Sequence, residues 1–267
     1  MRNFSLSVVV LTKNEENNIA ACLESVYGWA DEILLVDDES TDKTVEFAQK
    51  YSPVLLQSKM DNEGKQRNWA YAQARYEWVL SLDADEQVTQ ELKDEIDSVL
   101  DNAQVQAFAI PLRNYIGDYW IKHGGWYPAS KIKLFKPECF RYEEVEVHPK
   151  AYVDGQTSQL TRDIIHKSYR DFEHFFEKLN SQTTREALKW ARTGQNITRG
   201  KIIRRSIDRF FRAFFRKKGL KDGLIGFILA FGASLYQIMS YAKYWEMRQS
   251  FGACRPSPEE DAKTEKV

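Results

Sequence analysis

The stretch Trp78–Glu86, WVLSLDADE, joins an apolar run to a cluster of carboxylates. Its first residues are typical of a buried strand, and Asp83, Asp85 and Glu86 follow at the end of that strand. The stretch contains no basic residue, so its carboxylates repel one another unless a cation lies among them. Hard divalent ions such as Mg²⁺ and Mn²⁺ prefer oxygen ligands of this kind and often share them with a phosphate. The competing interpretation is the acidic first turn of a helix.

The residues before this stretch alternate between strand and helix patterns. Strands are predicted at 6–11 (LSVVVL), 32–36 (EILLV), 54–57 and 77–82, and helices after 19, after the capping residues 40–42, over 64–74 and after Thr89. Strict alternation of this kind predicts an α/β fold, a Rossmann-like and mostly parallel sheet flanked by helices.

Polar residues follow three of these predicted strands. They are Thr12-Lys13-Asn14-Glu15, Asp37-Asp38-Glu39-Ser40 and Asp83-Ala84-Asp85. Because ligands bind at the carboxyl ends of parallel strands, these groups are expected on one rim. The sequence has neither a glycine-rich dinucleotide loop nor a Walker phosphate loop, so phosphates would be held by a metal and by basic side chains. Lys65 and Arg67, at the start of the third helix, are the candidates; a solvated helix face is the alternative.

The middle of the chain is rich in aromatic residues and glycines. The loop His123–Pro128, HGGWYP, suits a sugar, whose ring faces are apolar and whose edges need hydrogen bonds. A surface aromatic cluster is the competing interpretation. Further on, alternate residues from Phe140 to His148 would share one face of a strand, which places Glu144, Glu146 and His148 together as an acid–base site. A half-exposed charged strand would show the same pattern.

The charge of the chain is unevenly distributed. Its 267 residues carry a net charge of −1, but residues 199–221 carry ten Lys or Arg and one acid, which leaves −10 for the rest. A helix in this stretch has an apolar face and a basic side, which is typical of a helix lying on an anionic membrane. The following apolar run, 223–239, is short for a spanning helix. Nucleic-acid binding and an oligomer interface are the alternatives, and the apolar face argues against the former.

Four motifs together resemble glycosyltransferase family 2: VVVLTKNEE, LLVDDESTDKT, GKQRN and LDADE. Within that family, HGGWYP, KIKLF followed by EVEVH, KLN and GLKDGLIGF resemble the bacterial lipopolysaccharide-core glucosyltransferases that act on heptose. The resemblance implies a GT-A fold, a UDP-sugar donor, a divalent metal (Mg²⁺ or Mn²⁺) and inversion at the anomeric carbon.

The resemblance also implies roles for individual residues. The nucleotide-binding positions are Thr12, Asn14, Glu15, Asp38, Lys65, Arg67 and Asp83; the metal positions are Asp85 and His148; the acceptor positions are His123, Trp126 and Tyr127. Pro149 and Ala129 stand where this subfamily often has acidic residues, which leaves Glu146 and Glu144 as candidates for the general base.

The sequence therefore predicts an inverting, metal-dependent hexosyltransferase, with glucose the expected sugar and a saccharide or glycolipid as acceptor. The expected organisation is a GT-A catalytic domain over 1–170 (a nucleotide-sugar half over 1–100 and an acceptor half over 101–170), a membrane-associating helical appendage over 171–254 and a disordered tail over 255–267. Three widely spaced cysteines and the lack of a secretory leader predict a cytoplasmic enzyme, peripheral on the inner face of the membrane. No nucleic-acid partner is expected. An inactive nucleotide-sugar-binding module, a transferase for another cell-envelope acceptor and a glycoside hydrolase are the alternatives.

Overall fold

The computed structural model describes residues 2–145, 149–193 and 197–252 and divides the chain into two units. The first unit comprises the residues up to 121 together with 126–168, and the second comprises 122–125 together with the residues from 169 onward. The predicted general-base residue Glu146 and the predicted metal residue His148 lie outside the described residues, as does the predicted tail over 255–267.

The strands follow one another closely along the chain. They are β1 (Leu6–Thr12), β2 (Glu32–Asp37), β3 (Val54–Gln57), β4 (Trp78–Asp83), β5 (Glu86–Val88), β6 (Ala107–Ile110), β7 (Leu112–Ile116), β8 (Tyr119–Trp120), β9 (Lys131–Phe135), β10 (Phe140–Tyr142), β11 (Ala151–Val153), β12 (Thr157–Gln159) and β13 (Ile164–Tyr169). The helices of the first unit are α1 (Ile19–Glu24), α2 (Thr44–Ala48), α3 (Glu63–Tyr71) and α4 (Gln90–Leu100).

A seven-stranded sheet forms the centre of the first unit, in the order β12-β6-β9-β4-β1-β2-β3. β1 pairs in parallel with both β2 and β4, and β2 pairs in parallel with β3. Only β9 runs against its neighbours β4 and β6. The prediction of an α/β fold with a mostly parallel sheet is therefore confirmed.

The sheet is buried because its central strands are apolar on both faces. Val8, Val9 and Val10 are all inaccessible to solvent, and the first and third of them belong to a different core cluster from the second. Burying one such side chain contributes about 1.5–3 kcal/mol. α4 covers one face with Leu92 and Ile96, after a first turn capped by the Thr89 hydroxyl, which accepts a hydrogen bond from the Leu92 amide.

Two smaller sheets complete the first unit. β5, β13, β7 and β8 form a four-stranded sheet, and β10 and β11 form an antiparallel pair. In the first of these, β13 runs antiparallel to β5 and places His166 opposite Glu86. This pairing brings a distant part of the chain to the end of β4.

The helix predicted after residues 40–42 is α2, which begins at Thr44, and the Asp42 carboxylate accepts hydrogen bonds from the Thr44 amide and hydroxyl. One local expectation from the sequence is wrong. The strand predicted from Phe140 to His148 ends at Tyr142, since the Val145 amide bonds back to the Glu143 carbonyl and turns the chain. Alternation of polar and apolar residues does not reveal such a turn.

The second unit is helical. It contains α5 (Phe172–Arg192), α6 (Arg199–Phe211), a π-helical turn (Arg212–Arg216), a short 3₁₀ turn (Gly219–Asp222) and α7 (Gly223–Gly252). Its core includes Trp190 of α5, Ile202 of α6 and Tyr244 of α7.

The glycines of α7 do not interrupt the helix. A Cβ added at Gly226 would lie 1.9 Å from the Gly219 carbonyl oxygen, and one at Gly232 would lie 2.7 Å from the Phe175 ring, so these glycines permit close packing within the unit. The segment Gly219–Gln249 is long and apolar enough to cross a membrane, and one third of its most apolar window is buried. The core helix of a soluble protein meets the same criteria.

Candidate active site

The polar groups at the ends of β1, β2 and β4 meet on one rim of the sheet, as the sequence predicts. The parallel registers pair Thr12 with Asp37 and Leu11 with Asp83. The rim therefore assembles from Thr12, Asp37 and Asp83, which stand 25 and 46 positions apart in the chain. Its position at the carboxyl edge is where open α/β sheets bind ligands.

The loops after β1 and β2 are fastened to each other. The Asn14 side-chain oxygen accepts a hydrogen bond from the Thr41 amide (2.8 Å), and the Asn14 amide donates to the Ser40 hydroxyl (2.9 Å). Asn14 and Glu39 both have left-handed backbone angles, with φ of 52° and 51°. Non-glycine residues in this region are strained and cluster at functional sites. The predicted nucleotide residue Glu15 joins the same contact through its amide, which donates to Thr44.

Two buried polar atoms on the rim have no hydrogen-bond partner among the described residues: Thr12 Oγ1 and Asp37 Oδ1. Leaving such an atom unsatisfied costs about 1–3 kcal/mol, so a ligand with complementary polar groups fits here. Asp38, the predicted nucleotide contact, is already engaged by Lys13 Nζ (2.9 Å) and by the Met60 amide (2.8 Å). Asp37 was predicted on the rim as part of the stretch Asp37–Ser40, but only its neighbour Asp38 was assigned a nucleotide contact.

Asp83 and Glu86 are neutralised by cations of the protein itself. Arg67 NH2 lies 2.8 Å from Asp83 Oδ1, and Lys133 Nζ lies 3.2 Å from Asp83 Oδ2 and 2.6 Å from Glu86 Oε2. Burial tends to raise the pKa of Asp83, but the charges of Arg67 and Lys133 outweigh it and hold that pKa well below its usual range. The expectation that no cation lies beside these carboxylates is therefore wrong for this pair.

Lys133 was not predicted because it comes from β9, an antiparallel strand. The register of β9 on β4 pairs Leu134 with Leu80, which leaves the neighbouring Lys133 beside the end of β4. Its side chain is 3% exposed. The available signal in the sequence was a lysine between the apolar residues Ile132 and Leu134 of β9.

The two predicted phosphate-binding cations lie in the first turns of α3 but differ in their surroundings. Lys65 is exposed, and its amide is capped by the Asn62 side chain. The Arg67 guanidinium contacts Asp83 and also Glu63 at 3.2 Å. Gly64 precedes Lys65 in the first turn of α3, and a Cβ added there would lie 1.9 Å from the Glu143 carbonyl oxygen. The glycine thus allows the segment that carries Glu144 to approach the start of α3.

Asp85 faces a histidine. His166 Nε2 lies 3.4 Å from Asp85 Oδ2, and His166 Nδ1 lies 2.8 Å from the side-chain oxygen of Asn114. Burial lowers the pKa of His166, whereas the hydrogen bond and charge of Asp85 raise it, and the net shift is upward. His166 was not predicted from the sequence.

The hydrogen bonds of Asn114 determine which nitrogen of His166 carries a proton. The Asn114 side-chain nitrogen donates to the carbonyl oxygens of Leu112 (3.2 Å) and Trp126 (2.7 Å), so its oxygen must face His166. That oxygen also accepts from Ser168 (3.0 Å). His166 therefore donates through Nδ1, and in the neutral ring the Nε2 lone pair points at a carboxylate oxygen. Two acceptors 3.4 Å apart are favourable only with a cation between them, either a second ring proton or a metal ion.

The pair Asp85 and His166 fits a divalent metal. One carboxylate oxygen and one imidazole nitrogen whose other nitrogen is held by a hydrogen bond are usual metal ligands. Mg²⁺ in phosphate-transferring sites is typically bound by one or two carboxylates together with phosphate oxygens, so a large protein cage is not required. Among the described residues, no group of three or more His, Cys, Asp and Glu is suited to a metal.

The predicted acceptor residues fall in different surroundings. The Trp126 carbonyl is bound by Asn114, and the Tyr127 ring contacts the Trp120 ring edge-on at a centroid distance of 5.3 Å. Burial, and then the charge and hydrogen bond of Asp163, raise the pKa of Tyr127. His123 belongs to the second unit, where its Nδ1 lies 2.8 Å from Asp222 Oδ1.

Of the predicted general bases, the structure describes Glu144, which is exposed. Its segment lies against the start of α3, because the Gly64 amide donates to the Val145 carbonyl. Glu144 is thus near the α3 turn that carries Lys65. Its role as base stays a prediction.

The sequence model of glycosyl transferase family 2 matches residues 7–168, more than half of the chain. The chain belongs to glycosyltransferase family 2. The match covers the rim, the carboxylate cluster and His166, and the protein is a glycosyltransferase.

Several relatives resemble the enzyme over most of its length. An uncharacterised glycosyltransferase of Rickettsia typhi is 27% identical over 91% of this chain and 87% of its own length. The lipopolysaccharide core biosynthesis glycosyltransferase LpsC of Rhizobium meliloti is 24% identical over 90% of this chain and 92% of its own. Among solved structures, Staphylococcus aureus TarS in complex with UDP-GlcNAc aligns with a TM-score of 0.47 at 18% identity, over 87% of this chain and 81% of that one.

Proposed function

We propose that the enzyme transfers a hexose, with glucose as the first candidate, from a UDP-sugar to a saccharide or glycolipid acceptor of the cell envelope, with inversion and with a divalent metal. The observation that carries the proposal is the pair formed by Asp85 and His166, which face each other through two acceptor atoms at the rim. The name of the relative LpsC supports a lipopolysaccharide-core acceptor.

The residues of the rim have separate tasks in this proposal. Thr12 and Asp37 present unsatisfied polar atoms to the nucleotide, and the fastened loops around Asn14 keep them in place. Lys65 is exposed at the start of α3 and attracts the diphosphate. Asp83 and Glu86, fixed by Arg67 and Lys133, hold the end of β4 in shape.

The transfer itself is a single displacement. The acceptor oxygen forms a bond to the anomeric carbon while the bond from that carbon to the diphosphate oxygen breaks, and the diphosphate leaves with the electron pair. Glu144 or Glu146 takes the proton of the acceptor hydroxyl as general base. Asp85 and His166 would hold a divalent metal, which would supply Lewis-acid stabilisation of the leaving diphosphate.

We further propose that the second unit holds the enzyme on the inner, cytoplasmic face of an anionic membrane. Large apolar side chains are exposed along α6 and the following turns: Ile203, Ile207, Phe211, Phe215, Leu220, Leu224 and Phe227. The ten basic residues of the same stretch complement anionic headgroups. This position would give access to a lipid-linked acceptor.

The donor proposal is tested with metal-stripped full-length enzyme, UDP-glucose and added Mn²⁺. Turnover and Mn²⁺ affinity, the latter by electron paramagnetic resonance, are measured for wild type, His166→Gln and the control His174→Gln. We expect His166→Gln to weaken Mn²⁺ binding at least as much as loss of an outer-shell partner does, about 10–100-fold. His174 lies in the first turn of α5, outside the rim, and its substitution should leave both quantities unchanged.

Two results would overturn the proposal. Unchanged Mn²⁺ affinity in His166→Gln removes the metal role of the pair. Tight binding of UDP-glucose without transfer to any saccharide or membrane-lipid acceptor identifies the protein as a nucleotide-sugar-binding module instead.

A further inference from the structure

The helices of the second unit line a half-open cavity of about 380 Å³. Arg205 and Arg209 of α6 and Arg212 at its end line one side; Glu186 and Trp190 of α5 and Gln237 of α7 line the others. The volume falls at the lower end of the range of small-molecule sites, about 300–1,000 Å³. All of these residues belong to the second unit, so the cavity is separate from the carboxylate rim.

The arginines are held at the cavity wall and are not fully paired. Arg209 is half-buried, with its guanidinium 5.4 Å from the centre of the Tyr236 ring. Arg212 lies 3.5 Å from Asp208, but among the described residues no carboxylate oxygen comes within 4.0 Å of Arg205 or Arg209. Burial, and then the like charges of Arg212 and Arg205, lower the pKa of Arg209. An anion in the cavity would relieve this repulsion.

The cavity faces away from the apolar stripe of α6. Successive residues of a helix are rotated by about 100°, so Arg209 projects about 160° from Ile207, and Arg205 does the same on the other side. Ile207 is 54% exposed and belongs to the apolar stripe. A bilayer in contact with that stripe would not reach the cavity, so its ligand is a soluble anion or the anionic part of a substrate.

We propose that this cavity is a binding site for a phosphorylated sugar. Guanidinium groups bind phosphate oxygens through charge-assisted and often bidentate hydrogen bonds. Glu186 and Asp208 offer acceptors for sugar hydroxyls, and Gln237 offers both donors and acceptors. The proposal goes beyond glycosyl transfer at the rim and does not depend on it.

The test is a calorimetric titration of the full-length enzyme with glucose 6-phosphate, inorganic phosphate and glucose. Saturable one-to-one binding of glucose 6-phosphate, tighter than that of phosphate or glucose, is expected. Arg209→Gln should weaken it about tenfold or more, since hydrogen bonds to charged groups are the strong ones. Arg204→Gln removes the same charge from an exposed position of α6 that does not line the cavity, and it should change the affinity less than twofold.

Several outcomes would overturn the proposal. Equal weakening by Arg204→Gln and Arg209→Gln would show diffuse charge attraction and no site. Phosphate binding as tightly as glucose 6-phosphate would remove the sugar. Displacement of glucose 6-phosphate by phosphatidylglycerol vesicles would identify a lipid headgroup, and displacement by UDP-glucose would identify the donor. If circular dichroism shows that Arg209→Gln is unfolded, Arg205→Gln takes its place with the same expected loss.

Discussion

The two aspartates of the D-x-D segment stand two residues apart and have opposite surroundings. Asp83 is bound by Arg67 and Lys133, and the second of these also neutralises Glu86. Asp85 faces His166, whose other ring nitrogen is held by Asn114. In the proposed function, identical side chains on one strand end therefore serve the fold in one case and a ligand in the other, according to their partners.

The difference between the two aspartates is tested most directly by removing the charge of each in turn. Asp85→Asn is expected to lower turnover of UDP-glucose about 1,000-fold, because a metal contributes several kcal/mol of charge stabilisation. Its free energy of unfolding should fall less than that of Asp83→Asn, which removes a carboxylate bound by two cations. Asp83→Asn should instead destabilise the fold, since it leaves Arg67 and Lys133 with one carboxylate fewer. Steady-state kinetics and urea unfolding measure both variants, and matching profiles would refute the division of roles.

The two aspartates also mark what sequence alone could and could not predict. Parallel strands end at one rim, so Thr12 and Asp83 were placed correctly from the strand–helix alternation. Lys133 and His166 reach the rim from antiparallel strands. Their position follows from the registers that pair Leu134 with Leu80 and His166 with Glu86.

No local pattern encodes such a register, because a single lysine or histidine in a strand does not reveal the carboxylate opposite it. The same limit explains the strand predicted beyond Tyr142, which a backbone turn at 143–145 ends. Orphaned polar atoms such as Asp37 Oδ1 are likewise visible only after the neighbouring loops have been placed.

Among the residues around Asp83 and Glu86, Lys133 is expected to contribute most to the stability of the fold. Lys133→Met leaves Asp83 and the fully buried Glu86 without their shared cation, and uncompensated buried charges of this kind cost about 3–5 kcal/mol. Urea unfolding measures the loss. Lys65→Met, which removes an exposed lysine of the same unit, is the control and should cost under about 0.5 kcal/mol. If adding Glu86→Gln to Lys133→Met restores no stability, the buried pair is not the cause.

Asn114 is expected to influence metal binding by Asp85 and His166 and to contribute less to the stability of the fold than Lys133 does. Asn114→Ala frees Nδ1 of His166, so its Nε2 is no longer fixed as the nitrogen that faces Asp85. Loss of an outer-shell partner typically lowers metal affinity about 10–100-fold, and that fall is expected for Mn²⁺. ¹⁵N spectra of the imidazole should show the Nδ1-protonated form in wild type and a mixture in the variant. A variant with weaker Mn²⁺ binding but an unchanged tautomer would point to general disruption.

Substitution of Arg67 tests whether a residue that binds Asp83 also contacts the donor. Arg67→Met should cost only about 1 kcal/mol, because Lys133 still neutralises Asp83 and the pair is partly open to solvent. The guanidinium is occupied by Asp83 and Glu63, whereas Lys65 is exposed in the first turn of the same helix. Lys65→Met is therefore expected to raise the KM for UDP-glucose more than Arg67→Met does, with folding intact in both. A larger rise in KM for Arg67→Met than for Lys65→Met would mean that Arg67 leaves Asp83 when the donor binds. The carboxylates of the cluster would then exchange cations during the reaction.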